Sequence, residues 1–136
     1  MTIPFWCVFI SALLILVAKV PVAREMQAQG GYDNHHPRQQ QARLTGLGAR
    51  AVAAHQNCWE AFALFAVAVL MAHTSQTQGW LVDALAIVFV IARVIYLPLY
   101  WNDKSSARSL VWLVGLTCSL LLMLSPLYRQ IVLSTI

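Results

Sequence analysis

Residues 50–72 read RAVAAHQNCWEAFALFAVAVLMA. A polar head containing Arg50, His55, Asn57 and Glu60 runs directly into an unbroken apolar tail, and the whole reaches the roughly 20 residues that a helix needs to cross a bilayer. Ionisable side chains inside a span are costly, so they face a bundle interior and mark a site. This one stretch therefore predicts a polar pocket within a membrane.

Working outward, three further apolar stretches lie at about 4–18, 81–100 and 110–127. With 60% of residues hydrophobic and 10% charged, the composition departs from that of a soluble domain and points to an integral membrane protein. The expected architecture is all-α: a single four-helix transmembrane domain over 1–136, with helices at about 4–20, 50–73, 80–101 and 107–127. The first stretch is short, but Lys19 can snorkel and extend it. No Lys or Arg precedes Phe5 and no small-x-small site precedes Glu25, which favours a retained helix over a cleaved signal peptide.

Lys19, Arg24, Arg38, Arg43 and Arg50 border the first loop, Arg93, Lys104 and Arg108 the third, and only Arg129 the other side. Basic loops stay in the cytoplasm, so both termini are expected outside it. The net charge of +4 thus reports topology, and nucleic acid is not an expected partner, because no aromatic-basic reading motif occurs. Cys7, Cys58 and Cys118 lie on separate spans without paired spacing, so neither a disulfide framework nor a zinc site is expected.

A polar cytoplasmic loop is expected over about 24–48, where Gly30, Gly31 and Pro37 forbid a continuous helix. Within it Tyr32, Asp33, Asn34, His35, His36, Pro37 and Arg38 predict an ordered turn. The adjacent histidines are a poor metal pair, since neighbouring residues rarely converge on one ion and no third ligand stands near them. Short polar connections at 73–79 and 102–107 make the second, third and fourth spans antiparallel neighbours. His73 and Asp83 fall at span ends and predict headgroup contacts, while Trp80, Trp101 and Trp112 read as interfacial or packing aromatics.

Arg50, Asn57, Glu60 and Leu64 are spaced by seven, three and four, which puts them on one helix face; His55 lies about 200° from Asn57 and leaves that stripe. Arg93, Tyr96 and Tyr100 share a face in the same way. In antiparallel helices Glu60 and Arg93 reach roughly 15 and 11 Å from the cytoplasmic side, close enough to meet. One reading is a buried ion pair that fixes packing. Asn57, Tyr96, Tyr100, Arg50 and Arg108 supply more donors than one carboxylate can absorb, which favours an anionic ligand entering from the cytoplasm and a lipophilic partner entering from the lipid.

The His-x-Asn-x-x-Glu core within Arg50–Glu60, the Arg-x-x-Tyr-x-x-x-Tyr run at 93–100 and then Arg108 with Ser109 resemble the MAPEG family, membrane-associated proteins in eicosanoid and glutathione metabolism. The Gly-Gly-Tyr-Asp-Asn loop is similar to the bacterial branch, which implies a bacterial inner membrane. The resemblance implies a four-helix bundle assembled as a homotrimer, with glutathione as co-substrate bound between subunits. It implies that Asn57 and Glu60 hold the peptide's polar ends, that Arg50, Arg93, Tyr96 and Tyr100 line the pocket, and that Arg108 with Ser109 flanks the thiol, Arg108 being catalytic. Lys19 or Arg24 is the implied basic contact from the first helix. Ala53 and Trp112 stand where some members carry a basic residue and a tyrosine.

Two functions follow as expectations. The first is a glutathione-dependent transferase or peroxidase acting on lipophilic electrophiles or lipid hydroperoxides. The second is a non-enzymatic membrane binding or assembly protein that keeps the anion pocket. The shared-site expectation is that Asn57 or Glu60 of one chain faces Arg93, Tyr96 or Arg108 of another.

Overall fold

The computed structural model describes residues 1–134, and in the last helix it leaves aside the side chains at 129 and 132–134. The side chain of Arg129, counted above for topology, therefore lies outside the described residues. Five helices follow in order: α1 (Ile3–Ala28), α2 (Pro37–Ala42), α3 (Gly46–Thr74), α4 (Trp80–Trp101) and α5 (Ser105–Ser134). All but α2 are long and apolar enough to span a bilayer.

The first helix runs eight residues beyond its expected end at 20. Its polar extension stays helical because Val22 and Met26 are fully buried against Leu44 and Ala51, so tertiary burial outweighs the loss of apolar sequence. The helix stops before Gly30 and Gly31, whose φ of 99° and 103° lie in the left-handed region. The expected loop at 24–48 is thereby shorter, and part of it is α2. α5 likewise runs past 127.

The turn at 32–38 is built by three side chains. Asp33 Oδ1 accepts from the backbone N–H of His35 at 2.8 Å and of His36 at 3.0 Å. Gln40 donates to the carbonyls of Met26 and Gly31 and accepts from the N–H of Asp33, at 3.1, 2.8 and 3.0 Å, which ties α2 to the end of α1. Gln27 accepts from the N–H of Tyr32. The His36 and then the His35 N–H hold the Asp33 carboxyl below the usual carboxylate range.

α1 packs on α3 and α4 on α5, and the α3–α5 and α1–α4 contacts close the bundle. At its centre Phe65 stacks on Phe89 with ring centroids 3.9 Å apart, surrounded by Ala68, Ala86, Cys118 and Leu122. The buried Ser11 and Ser119 hydroxyls are satisfied within their own helices, donating to the carbonyls of Cys7 and Gly115. The three cysteines are buried and free. Leu16, Val67, Leu70, Ile91, Leu113 and Leu124 point outward. Such an apolar exterior requires lipid as its solvent, so this is an integral membrane protein.

Candidate functional site

On α3 the three-residue step from Asn57 to Glu60 lets the Asn57 amide donate to Glu60 Oε2 at 3.1 Å. The other end of the same amide, Asn57 Oδ1, is buried without a partner among the described residues. A buried orphan acceptor costs about 1–3 kcal/mol unless something outside the chain donates to it.

On α4 the spacing of three and four stacks Arg93, Tyr96 and Tyr100 along one face. The Arg93 guanidinium lies 4.1 Å from the Tyr96 ring centroid, Tyr96 meets Tyr100 edge to face at 5.5 Å, and Arg108, at the start of α5, lies 4.2 Å above Tyr100. The result is a ladder of cation, two rings and cation. A guanidinium lying over an aromatic face is held in place while its in-plane N–H donors stay available.

Asn57, Tyr96, Tyr100, Arg108, Ser109 and Trp112 line a cavity of about 200 Å³. A second cavity, of about 100 Å³, shares Asn57 and Trp112 with it and is lined further by Glu60, Phe89, Arg93 and Ser119. Polar donors thus cluster in the first, and the second is a mostly apolar continuation towards the Phe65–Phe89 core.

Two expectations change. Glu60 and Arg93 make no ion pair among the described residues. Arg93, only 4% exposed, donates instead to Cys58 Sγ at 3.6 Å, because Cys58 faces α4 while Glu60, two residues on and about 200° round the helix, is exposed. Arg50 keeps the face of Asn57 and Glu60 but not their site. Seven residues place it roughly 10 Å from Asn57 along the axis. There its Nε donates to the carbonyl of Trp101 at 3.1 Å, one of the carbonyls that the end of α4 leaves without an intrahelical partner. It lines a separate cavity with Arg24, Pro21 and Leu47. Asn57, Tyr96 and Arg108 line one cavity of a single chain.

Cys58 and Trp112 are the residues that sequence reasoning missed. Cys58 continues the buried small-residue stripe of Ala51 and Ala54 that packs α3 inward, a spacing that already aimed it at the bundle interior. Trp112 follows Arg108 and Ser109 by four and three residues, which placed it on their face.

The MAPEG family model matches residues 3–128, a range that takes in every residue lining the two connected cavities. Searches of curated proteins and of solved structures return no match.

Proposed function

Because the chain belongs to the MAPEG family, we propose that it is a membrane-bound, glutathione-dependent transferase or peroxidase acting on lipophilic electrophiles or lipid hydroperoxides. The observation that carries this reading is the cavity in which Arg108, Tyr100, Tyr96, Ser109 and Asn57 converge beside an apolar recess.

A tripeptide thiol brings carboxylates, an ammonium and amides, and the cavity walls offer a matching set. Arg108 provides fixed positive charge, the tyrosine and Ser109 hydroxyls donate, and Glu60 is an acceptor for an ammonium. Asn57 Oδ1 still needs a donor. A thiol of ordinary pKa near 8.5 is only a few per cent thiolate at pH 7, and the thiolate is the nucleophile. If Arg108 lowers that value by about two units, the stabilisation is about 2.7 kcal/mol and the thiolate becomes the main form. Ser109 can add a hydrogen bond to the same sulfur.

Phe89, Leu116 and Trp112 give the recess an apolar lining for the second substrate. Attack of sulfur on an electrophilic carbon forms a carbon–sulfur bond and expels the leaving group with its electron pair. With a hydroperoxide, two thiols are oxidised to a disulfide while the peroxide is reduced to alcohol and water.

Exposed Glu60 also supports self-association as a homotrimer, since a charge facing lipid within a span costs at least about 2.5 kcal/mol by insertion scales. The basic loops favour a site open to the cytoplasm of a bacterial inner membrane. Purified protein in detergent, titrated with glutathione and assayed with a generic aromatic electrophile, tests the reading. Binding with turnover supports it, whereas binding without turnover, or no binding at all, overturns it and leaves the non-enzymatic binding protein.

A further inference from the structure

Towards the polar-loop end of the bundle, Pro21, Arg24, Leu47, Arg50, Trp101 and Asn102 line a cavity of about 540 Å³. Arg24 lies four residues before the end of α1, Arg50 four residues after the start of α3, and Trp101 is the last residue of α4. An indole at a span end marks the level of the headgroups, so the cavity opens where a phospholipid carries its charge. No described residue lines both this cavity and the one at Arg108.

Its ionisable side chains are both cationic. No Asp or Glu lines it, and neither arginine has an ion pair among the described residues. Two like charges brought together from separate helices repel each other until an anion lies between them. Arg50 is already positioned for one: its Nε donates to the Trp101 carbonyl at 3.1 Å, which fixes the guanidinium and leaves its Nη donors open. Trp101 itself carries a buried Nε1–H with no partner among the described residues. The walls therefore hold charge and donors in excess of acceptors, and a phosphate, with several acceptor oxygens, answers both.

The surface below separates a lipid from a soluble anion. Val20, Val17, Leu13 and Ile10 precede Arg24 by four, seven, eleven and fourteen residues, which aligns them beneath it on one face of α1. All four are exposed. The stripe is roughly 20 Å long, against about 15 Å for one half of the hydrocarbon core, so an acyl chain can follow it throughout its leaflet.

We propose that this cavity binds the phosphate of an anionic phospholipid, held between Arg24 and Arg50, with an acyl chain along the stripe from Val20 to Ile10. Basic pockets between spans are a general means of recognising such headgroups. An anionic lipid is specified because the ammonium of a zwitterionic one competes for the phosphate and is itself repelled by two arginines.

Native mass spectrometry of the delipidated full-length protein, titrated with phosphatidylglycerol and with phosphatidylcholine of identical acyl chains, tests this. Phosphatidylglycerol should be retained about 30-fold better, the combined pull of two arginines. Arg24→Gln and Arg50→Gln should each lower that preference about fivefold and together abolish it. Arg43→Gln, which removes a loop arginine outside the cavity, should leave it intact; a loss as large as the others would reduce the effect to net charge and overturn the site. Equal retention of both lipids by the unaltered protein also overturns it. So does displacement of phosphatidylglycerol by equimolar soluble glycerophosphate, which assigns the cavity to a soluble phosphate, or by equimolar glutathione, which joins it to the thiol site. Should the double variant not fold, the lipid comparison and the two competitions on the unaltered chain decide.

Discussion

At one end of the bundle Arg93 and Arg108 rest on Tyr96 and Tyr100 at 4.1 and 4.2 Å, while at the other Asp83 and His73 stand over an apolar floor beside Phe5. Neither end neutralises its charge with an opposite side chain among the described residues. The cations are accommodated by aromatic faces and by a thiol, and the carboxylate by the first turn of a helix. Those devices hold a charged group in low dielectric without using up its hydrogen-bonding edge. A direct ion pair would have consumed that edge, so the contrast is between a cationic end held by aromatic rings and a thiol and an acidic end held by a helix turn.

The largest expected effect is at the cationic end. Arg108→Ala should lower kcat/KM for the thiol-dependent reaction at pH 7 by about 25-fold, the fall in thiolate fraction when a thiol pKa rises by two units to about 8.5, with most of the loss in kcat. Stopped-flow detection of thiolate absorbance should show the bound thiol shifting back towards pH 8.5. Equal activity in the variant would remove Arg108 from the chemistry and erase the contrast between the ends.

Next in size is Cys58→Ala, which takes away the sulfur that accepts from Arg93. A buried guanidinium edge left without its acceptor should cost about 1–3 kcal/mol in thermal or denaturant unfolding. No change in stability would mean that the Tyr96 face alone suffices to house the cation.

Glu60→Gln should weaken thiol binding, by about tenfold if Glu60 holds the ammonium through one charge-assisted hydrogen bond. Stability should move by less than about 1 kcal/mol, because Glu60 is exposed and is not the counter-ion of Arg93. Isothermal titration paired with unfolding separates the two quantities. A large loss of stability with unchanged affinity would restore the ion-pair reading.

The smallest effect belongs to the loop outside the membrane. Asp33 has its carboxyl pKa depressed by the N–H groups of His36 and His35, so its contribution to turn order is present above the ordinary carboxylate pKa and is lost as pH falls through the depressed one. Hydrogen exchange at the His35 and His36 amides should quicken over that acidic window in the unaltered protein, and Asp33→Asn should flatten the dependence. Thiol turnover at neutral pH should not respond, since no Asp33 atom lines the Arg108 cavity.

Much of the fold was legible in residues 50–72 and their counterparts, because a bilayer imposes length and hydropathy on each span separately. The turn at 32–38 was legible for a similar reason: Asx and proline chemistry acts over two or three residues. Less could be read where a choice was made between distant partners. Arg50 sits on the expected face of α3, but the face does not say that the free carbonyl of Trp101 is the nearer acceptor. The Asn57–Glu60 and Arg93–Tyr96–Tyr100 spacings predicted two stripes, and the structure brings Asn57 and both tyrosines to one cavity with Arg108 and Ser109.

By itself the sequence determined four membrane spans and their antiparallel neighbours, which follow from periodicity and composition along the chain, and its motifs carried the resemblance to the family. Only the tertiary structure decided that α1 continues to Ala28, that Arg93 is held by Cys58 rather than Glu60, and that His73 and Asp83 share a cavity. The reason is physical. Burial of a span is set by local sequence, whereas the direction of a long or charged side chain is set by whichever acceptor, ring or helix end lies within reach, and those come from residues far away in the chain.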